Sequence, residues 1–182
     1  MSRQKELILS GVGGQGTILC GTLIAQAAVL YDGKKATLSS EYGTETRGTF
    51  AKSDVIISDE DIYFPDATNP ELIVCLHQIA YERYSGKTGE KTLILYDADM
   101  VTPKTDSTSN EKGVHIGSLA KDIGNPQTAN IITMGLVTGY LNVVTEEGAK
   151  KAISSFFSSK GESIISMNQE AFERGLLLGR EL

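Results

Sequence analysis

The chain has 182 residues, 40% of them hydrophobic and 22% charged, with a net charge of −6. That is enough chain for one domain, 1–182, with a sizeable core and no low-complexity block. The acidic balance and the lack of any Lys/Arg run exclude a nucleic-acid backbone as the expected partner. No apolar run reaches the roughly 20 residues a membrane helix needs, so no membrane role is expected.

The polar start, Met1 to Glu6, runs straight into a strand and leaves no room for a signal peptide. The two cysteines, Cys20 and Cys75, sit in apolar surroundings and need no disulfide. A cytoplasmic location is expected. Two cysteines cannot ligate a cubane iron–sulfur cluster, and the isolated His77 and His115 have no zinc spacing. No Walker-type phosphate loop is present.

The first strand is Glu6 to Ser10, and a helix follows from about Gln15 to Tyr31. Apart from Thr17, Thr22 and Gln26 this helix is nearly all apolar or glycine, which predicts cover on more than one side. Asp32-Gly33 ends it. Lys35 to Ser39 reads as the second strand and Phe50 to Ser58 as the third. Leu72 to Leu76 and Thr92 to Tyr96 are short continuous apolar runs, the mark of strands buried on both faces. A short helix to about Tyr84 lies between them. Residues 102–112 form a polar excursion, and Val114-His115-Ile116 reads as a further strand.

Asn125-Pro126 predicts an N-cap with proline at the first helical position. In the helix that follows, Gly135 and Gly139 share a face and invite another backbone close. Thr145-Glu146-Glu147 starts the next helix, with acids in its first turn. Ser166 and Gln169 fit a capping box for the last helix. Strands alternating with helices predict a single three-layer, Rossmann-like α/β domain: a mostly parallel sheet with helices on both faces.

Two loops carry the chemistry. Gly11-Val12-Gly13-Gly14-Gln15-Gly16 lies between a strand and a helix, where bare N–H groups and a positive helix end meet an anionic ligand. A dinucleotide site would add an acid at the end of the second strand, but that strand ends in Ser39-Ser40 and Glu41 comes late. A phosphate-bearing ligand, a partner loop, or a turn made for strand–helix packing remain open. The second loop, Tyr42-Gly43-Thr44-Glu45-Thr46-Arg47-Gly48, sits where the second strand should reach the carboxyl edge. Arg47 can grip a carboxylate or phosphate with two parallel bonds, and Glu45 can orient it. Asn130 is an amide on a very apolar helix and must be satisfied, either by the glycine loop or by a ligand. Asp97 and Asp99 suit cap or turn duty, and His77 suits a structural hydrogen bond.

These segments together, Gly11 to Gly16, then Tyr42-Gly43, Glu45 and Arg47-Gly48, then Asn130 ahead of Gly135, resemble the gamma subunit of 2-oxoacid:acceptor oxidoreductases. The same unit forms the third domain of single-chain pyruvate:ferredoxin oxidoreductases. The chain departs from the family pattern at Thr44 and Thr49, where the family often has Pro and Gly. The resemblance implies a cytoplasmic hetero-oligomer that converts a 2-oxoacid, of the 2-oxoglutarate type, and coenzyme A to acyl-CoA, CO2 and reduced ferredoxin or flavodoxin. It implies alpha, beta and delta subunits as partners, with thiamine diphosphate, magnesium and 4Fe-4S clusters on those partners. No cofactor is expected on this chain alone, and no residue is expected to do covalent chemistry. Its share is coenzyme A binding and assembly, through Gly11, Gly13, Gly14, Gln15, Gly16, Tyr42, Glu45, Arg47 and Asn130. A free-standing dinucleotide-binding oxidoreductase and a non-catalytic scaffold are the alternatives.

Overall fold

The computed structural model describes residues 4–43, 48–105 and 110–182. Its centre is a six-stranded sheet with the order β2-β3-β1-β4-β5-β6. The strands are β1 (Lys5–Val12), β2 (Lys35–Tyr42), β3 (Phe50–Ser58), β4 (Leu72–Cys75), β5 (Leu93–Asp97) and β6 (Glu111–Val114). β1, β4, β5 and β6 run parallel, whereas β3 is antiparallel to both β1 and β2. The sheet is thus mostly parallel as expected, but β3 lies between β1 and β2.

Alternation of side chains along each strand sorts the core. Leu7, Leu9, Leu72, Val74, Leu93 and Leu95 face one layer of helices, while Ile8, Ile73, Cys75 and Ile94 face the other. The two layers are unequal. The first face carries α1 (Thr17–Gln26), α3 (Ile116–Asp122) and α4 (Ala129–Leu141), backed by α5 (Glu146–Phe157) and α6 (Glu162–Arg180). The second face has only α2 (Gln78–Tyr84) and its flanking loops. The double cover predicted for α1 is present: it packs between the sheet and the α4/α5 layer. Both thiols are free and buried, and burial pushes Cys75 up to about 12.

Several boundaries differ from the sequence reading. The first helix becomes π-helical over Ala27–Tyr31, and Asp32 then accepts bonds from Thr145 N and Thr145 Oγ1, locking the helix end to the start of α5. β2 continues to Tyr42 because it is paired residue by residue with β3 along its whole length. Ile116 opens α3 instead of ending a strand, since Asp97 and Asp99 supply acceptors for its first turn. The last helix begins at Glu162, after Gly161 with φ +92°, so Ser166 is inside it and caps nothing. The caps at Asn125 and Thr145 are as read: Asn125 accepts from Gln127 N at 3.0 Å and Thr145 from Gly148 N at 3.0 Å.

The glycine face of α4 meets a second glycine face on α6. A Cβ on Gly135 or Gly139 would collide with the backbone carbonyls of Phe172 and Leu176, and one on Gly175 or Gly179 with those of Ile132 and Leu136. The two helix backbones are therefore in direct contact along a four-glycine seam. Among the described residues no helix is long and apolar enough to cross a membrane.

Candidate functional site

The carboxyl ends of β1, β4 and β5 all point to one sheet edge. After β1 the chain turns to β2 and β3 on one side; after β3 it crosses to β4 on the other. The switch therefore lies between β1 and β4, where open α/β sheets place their ligand crevice. A cleft of about 520 Å³ opens there, lined among others by Gly14, Gly16, Lys121 and Asn130 and, on the β5 side, by Asp97 and Asp99.

The glycine loop is built around two side chains. Gln15 Oε1 accepts from Val12 N at 2.8 Å, and Gln15 Nε2 donates to Leu76 O at 2.9 Å. That amide ties the end of β1 to the end of β4, so Gln15 positions the turn. Gly11 leaves the room it needs, since a Cβ there would run into Gln15 Oε1. Gly16 has φ +74°, and a Cβ on it would collide with the amide of Asn130. Gly14, with φ +104°, forms the exposed tip.

Gly16 is also the N-cap of α1, and no side chain caps that terminus or puts an acid in its first turn. The first amides of α1 have no intrahelical acceptor, so they and the positive helix end remain available to an anion in the cleft. Asn130, in the first turn of α4, lies against Gly16 and is only 8% exposed. Its side-chain amide has no hydrogen-bond partner among the described residues. The amide borders the cleft, where water or an entering ligand can reach it. The Lys121 side chain adds a cation to the rim. It was missed in the sequence because α3 was missed.

The second loop stands at the same edge. Gly13 N donates to Thr49 O at 2.9 Å and Gly48 N to Gly13 O at 3.4 Å, so the two loops are joined through backbone. Tyr42 ends β2 and is exposed. Glu45 and Arg47 lie outside the described residues. Glu41 bridges Lys52 (3.7 Å) and Arg83 (3.9 Å) instead of turning toward the glycine loop. With β3 between β2 and β1, an acid at the end of β2 lies two strands away from the turn, and the ribose-binding position of a dinucleotide site is not formed.

The two acids at the end of β5 do cap duty. Asp97 accepts from Asp99 N at 3.1 Å and Gly117 N at 3.3 Å, and burial pushes its carboxyl above the ordinary range. Asp99 accepts from Ser118 N, from Ser118 Oγ at 2.9 Å, and contacts His115 Nδ1 at 2.8 Å. Partial burial pushes Asp99 up, but the bonds from His115 and Ser118 outweigh it and hold the carboxyl below its ordinary value. The sign follows: Asp99 stabilises the fold above its unfolded pKa of about 3.9, and that contribution is lost as pH falls through the lower folded value. Asp99→Asn removes the charge from the bonds to Ser118 and His115 and is expected to lower stability by up to about 1 kcal/mol at pH 7. Urea unfolding of both proteins from neutral to strongly acid pH should show the difference shrinking to nothing at the acid end; a pH-independent difference would contradict it. His77 caps α2 through Nδ1, which accepts from Ile79 N at 3.3 Å.

Comparisons with known proteins identify the family and the fold. The model of the family described as pyruvate ferredoxin/flavodoxin oxidoreductase matches residues 6–178. The chain is 39% identical to the 2-oxoglutarate synthase subunit KorC of Methanocaldococcus jannaschii, over 98% of this chain and 96% of that one. It is 29% identical to the KorC subunit of Archaeoglobus fulgidus, over the whole of this chain and 91% of the other. In structure it is similar to the gamma subunit of a keto/oxoacid ferredoxin oxidoreductase from Geobacter sulfurreducens. There the TM-score is 0.82 and the identity 34%, over 98% of this chain and 97% of the other. It also shares its fold, with a TM-score of 0.91 and 24% identity, with a segment of the 2-oxoglutarate:ferredoxin oxidoreductase of Magnetococcus marinus. The match covers all of this chain and 32% of that one, which was solved with 2-oxoglutarate, coenzyme A and succinyl-CoA bound. The chain thus belongs to the pyruvate ferredoxin/flavodoxin oxidoreductase family, as a subunit-length, gamma-type member.

Proposed function

We propose that this chain is the gamma subunit of a cytoplasmic 2-oxoglutarate:ferredoxin oxidoreductase, and that its switch-point cleft receives the phosphate groups of coenzyme A. The observation that carries the proposal is the meeting, in one cleft, of an uncapped helix N-terminus with the Asn130 amide that lies against Gly16. Coenzyme A carries a diphosphate and a ribose phosphate. The first-turn amides of α1, the N–H groups of Gly14 and Gly16, Asn130 and Lys121 offer donors and positive charge to such groups. Arg47, with Glu45 and Tyr42, serves the same crevice from the second loop. Gln15 positions the turn, and no residue of this chain forms a covalent intermediate.

Thiamine diphosphate, magnesium and the 4Fe-4S clusters reside on alpha, beta and delta partners, which carry out decarboxylation and electron transfer to ferredoxin or flavodoxin. The relatives named for 2-oxoglutarate synthase support the substrate. The free, buried thiols suit a reducing compartment. The test is mild affinity purification of the chain from its host, with subunit masses, iron and thiamine diphosphate assayed together and a panel of 2-oxoacids supplied. Larger co-purifying chains carrying both cofactors, with activity on 2-oxoglutarate that needs coenzyme A, are expected. A chain that purifies alone, without iron or thiamine diphosphate, would refute the proposal.

A further inference from the structure

We infer that β2 is a self-complementary edge through which two copies of this chain pair, extending the sheet across a two-fold axis at Leu38. The two edges of the sheet are managed differently. β6 is only four residues long, whereas β2 offers eight, with no proline and, among the described residues, one unpaired side. A long open edge is a template for another strand unless something covers it. The exposed apolar residues also gather there. Leu38 and Tyr42 lie on β2 itself, and Val29 and Leu30 (65% exposed) on the π-helix packed beside it. Tyr63 (88% exposed) and Phe64 (74%) follow Asp61, which pairs with Lys35 at the start of β2.

The charges identify the occupant as a second copy. In an antiparallel pair centred on Leu38, Lys35 of one chain faces Glu41 of the other, twice, and Thr37 faces Ser39. Residues directly opposite share a face, so each Lys–Glu pair comes into reach. Beyond the strand, the acidic Asp59-Glu60-Asp61 end of one copy approaches the Lys52 and Arg83 end of the other. Leu38 meets Leu38 on the α1 side. One end acid and aromatic, the other end basic, reversed by the two-fold, is the pattern of an isologous contact.

Sedimentation equilibrium of the purified full chain at micromolar concentrations tests this. The wild type is expected to be a dimer. Leu38→Lys sets two like charges at the axis and should give a monomer that keeps the wild-type circular dichroism and whose melting temperature no longer depends on protein concentration. Lys35→Glu and Glu41→Lys should each weaken the dimer about tenfold, and the double exchange should restore it. A wild type that stays monomeric, or a dimer indifferent to Leu38→Lys and to both single charge changes, overturns the inference. So does failure of the double exchange to restore pairing. If the chain is monomeric but Leu38→Lys loses co-purifying subunits, the edge belongs to a different chain and self-pairing is refuted.

Discussion

Asn130→Asp, in the assembled oxidoreductase, is expected to raise the KM for coenzyme A by about 100-fold while the chain melts within a few degrees of wild type. The two readouts part because the same charge acts oppositely on them. A carboxylate in the first turn of α4 faces the positive ends of two helices, α1 and α4, which is favourable for the fold by about 0.3–1 kcal/mol. That offsets part of the cost of burying it. For an anionic ligand the carboxylate is a like charge inside the crevice. At about 4 Å and an effective dielectric near 20 the repulsion is up to about 4 kcal/mol, and about 2.7 kcal/mol suffices for the stated change. Asn130→Ala removes the donor without adding charge, so its effect should be about tenfold. Steady-state kinetics with coenzyme A varied at saturating 2-oxoacid check both variants. An unchanged KM in Asn130→Asp with an intact complex would remove Asn130 from the site. A drop in kcat alone would place it elsewhere in the reaction.

Gly175→Leu is expected to abolish the fold, and Gly175→Ala to cost about 3 kcal/mol. In an exposed helix, glycine to alanine would gain about 1 kcal/mol. Here the added Cβ meets the Ile132 carbonyl, which belongs to the backbone of α4 and cannot rotate away. The seam must part, and Phe172, Leu136 and Leu176, all buried beside it, lose contacts. The same logic applies to Gly135, which faces Phe172 O. Chemical unfolding followed by circular dichroism measures the loss. A Gly175→Ala protein as stable as wild type would mean that the two helices are not in backbone contact.

The sequence made the alternating architecture legible, because strands buried on both faces and amphipathic α5 each leave a periodic mark. It also made the glycine seam half legible: Gly135 and Gly139 were recognised as a close-approach face, while Gly175 and Gly179 on α6 went unpaired with them. Strand direction left no mark. Nothing in Phe50 to Ser58 distinguishes an antiparallel insertion from a neighbour of the usual kind, and only the pairing with β1 and β2 settles it. α3 leaves no mark in the sequence because its start depends on Asp97 and Asp99, 20 and 19 residues before the amides they accept from, and such long-range caps have no local signature.

The site divides in the same way. The glycine loop and Asn130 could be singled out from residue type and setting, and the structure brings them into contact at Gly16. Gln15 could be noticed but its role could not: both ends of its amide are used by Val12 and Leu76, one of them 61 residues away. Lys121 could not be found at all before α3 was known. Glu45 and Arg47 remain residues of the sequence pattern and lie outside the described residues; the structure shows only that Gly48 and Thr49 are bonded to Gly13.

Amide hydrogen exchange on the assembled complex, with and without coenzyme A, tests the cleft most directly. Slower exchange is expected at the Gly13 to Leu19 amides and at the start of α4, and dephospho-coenzyme A should give less of it. If coenzyme A protects partner subunits while these amides exchange unchanged, its phosphates bind elsewhere and the assignment of this crevice is wrong.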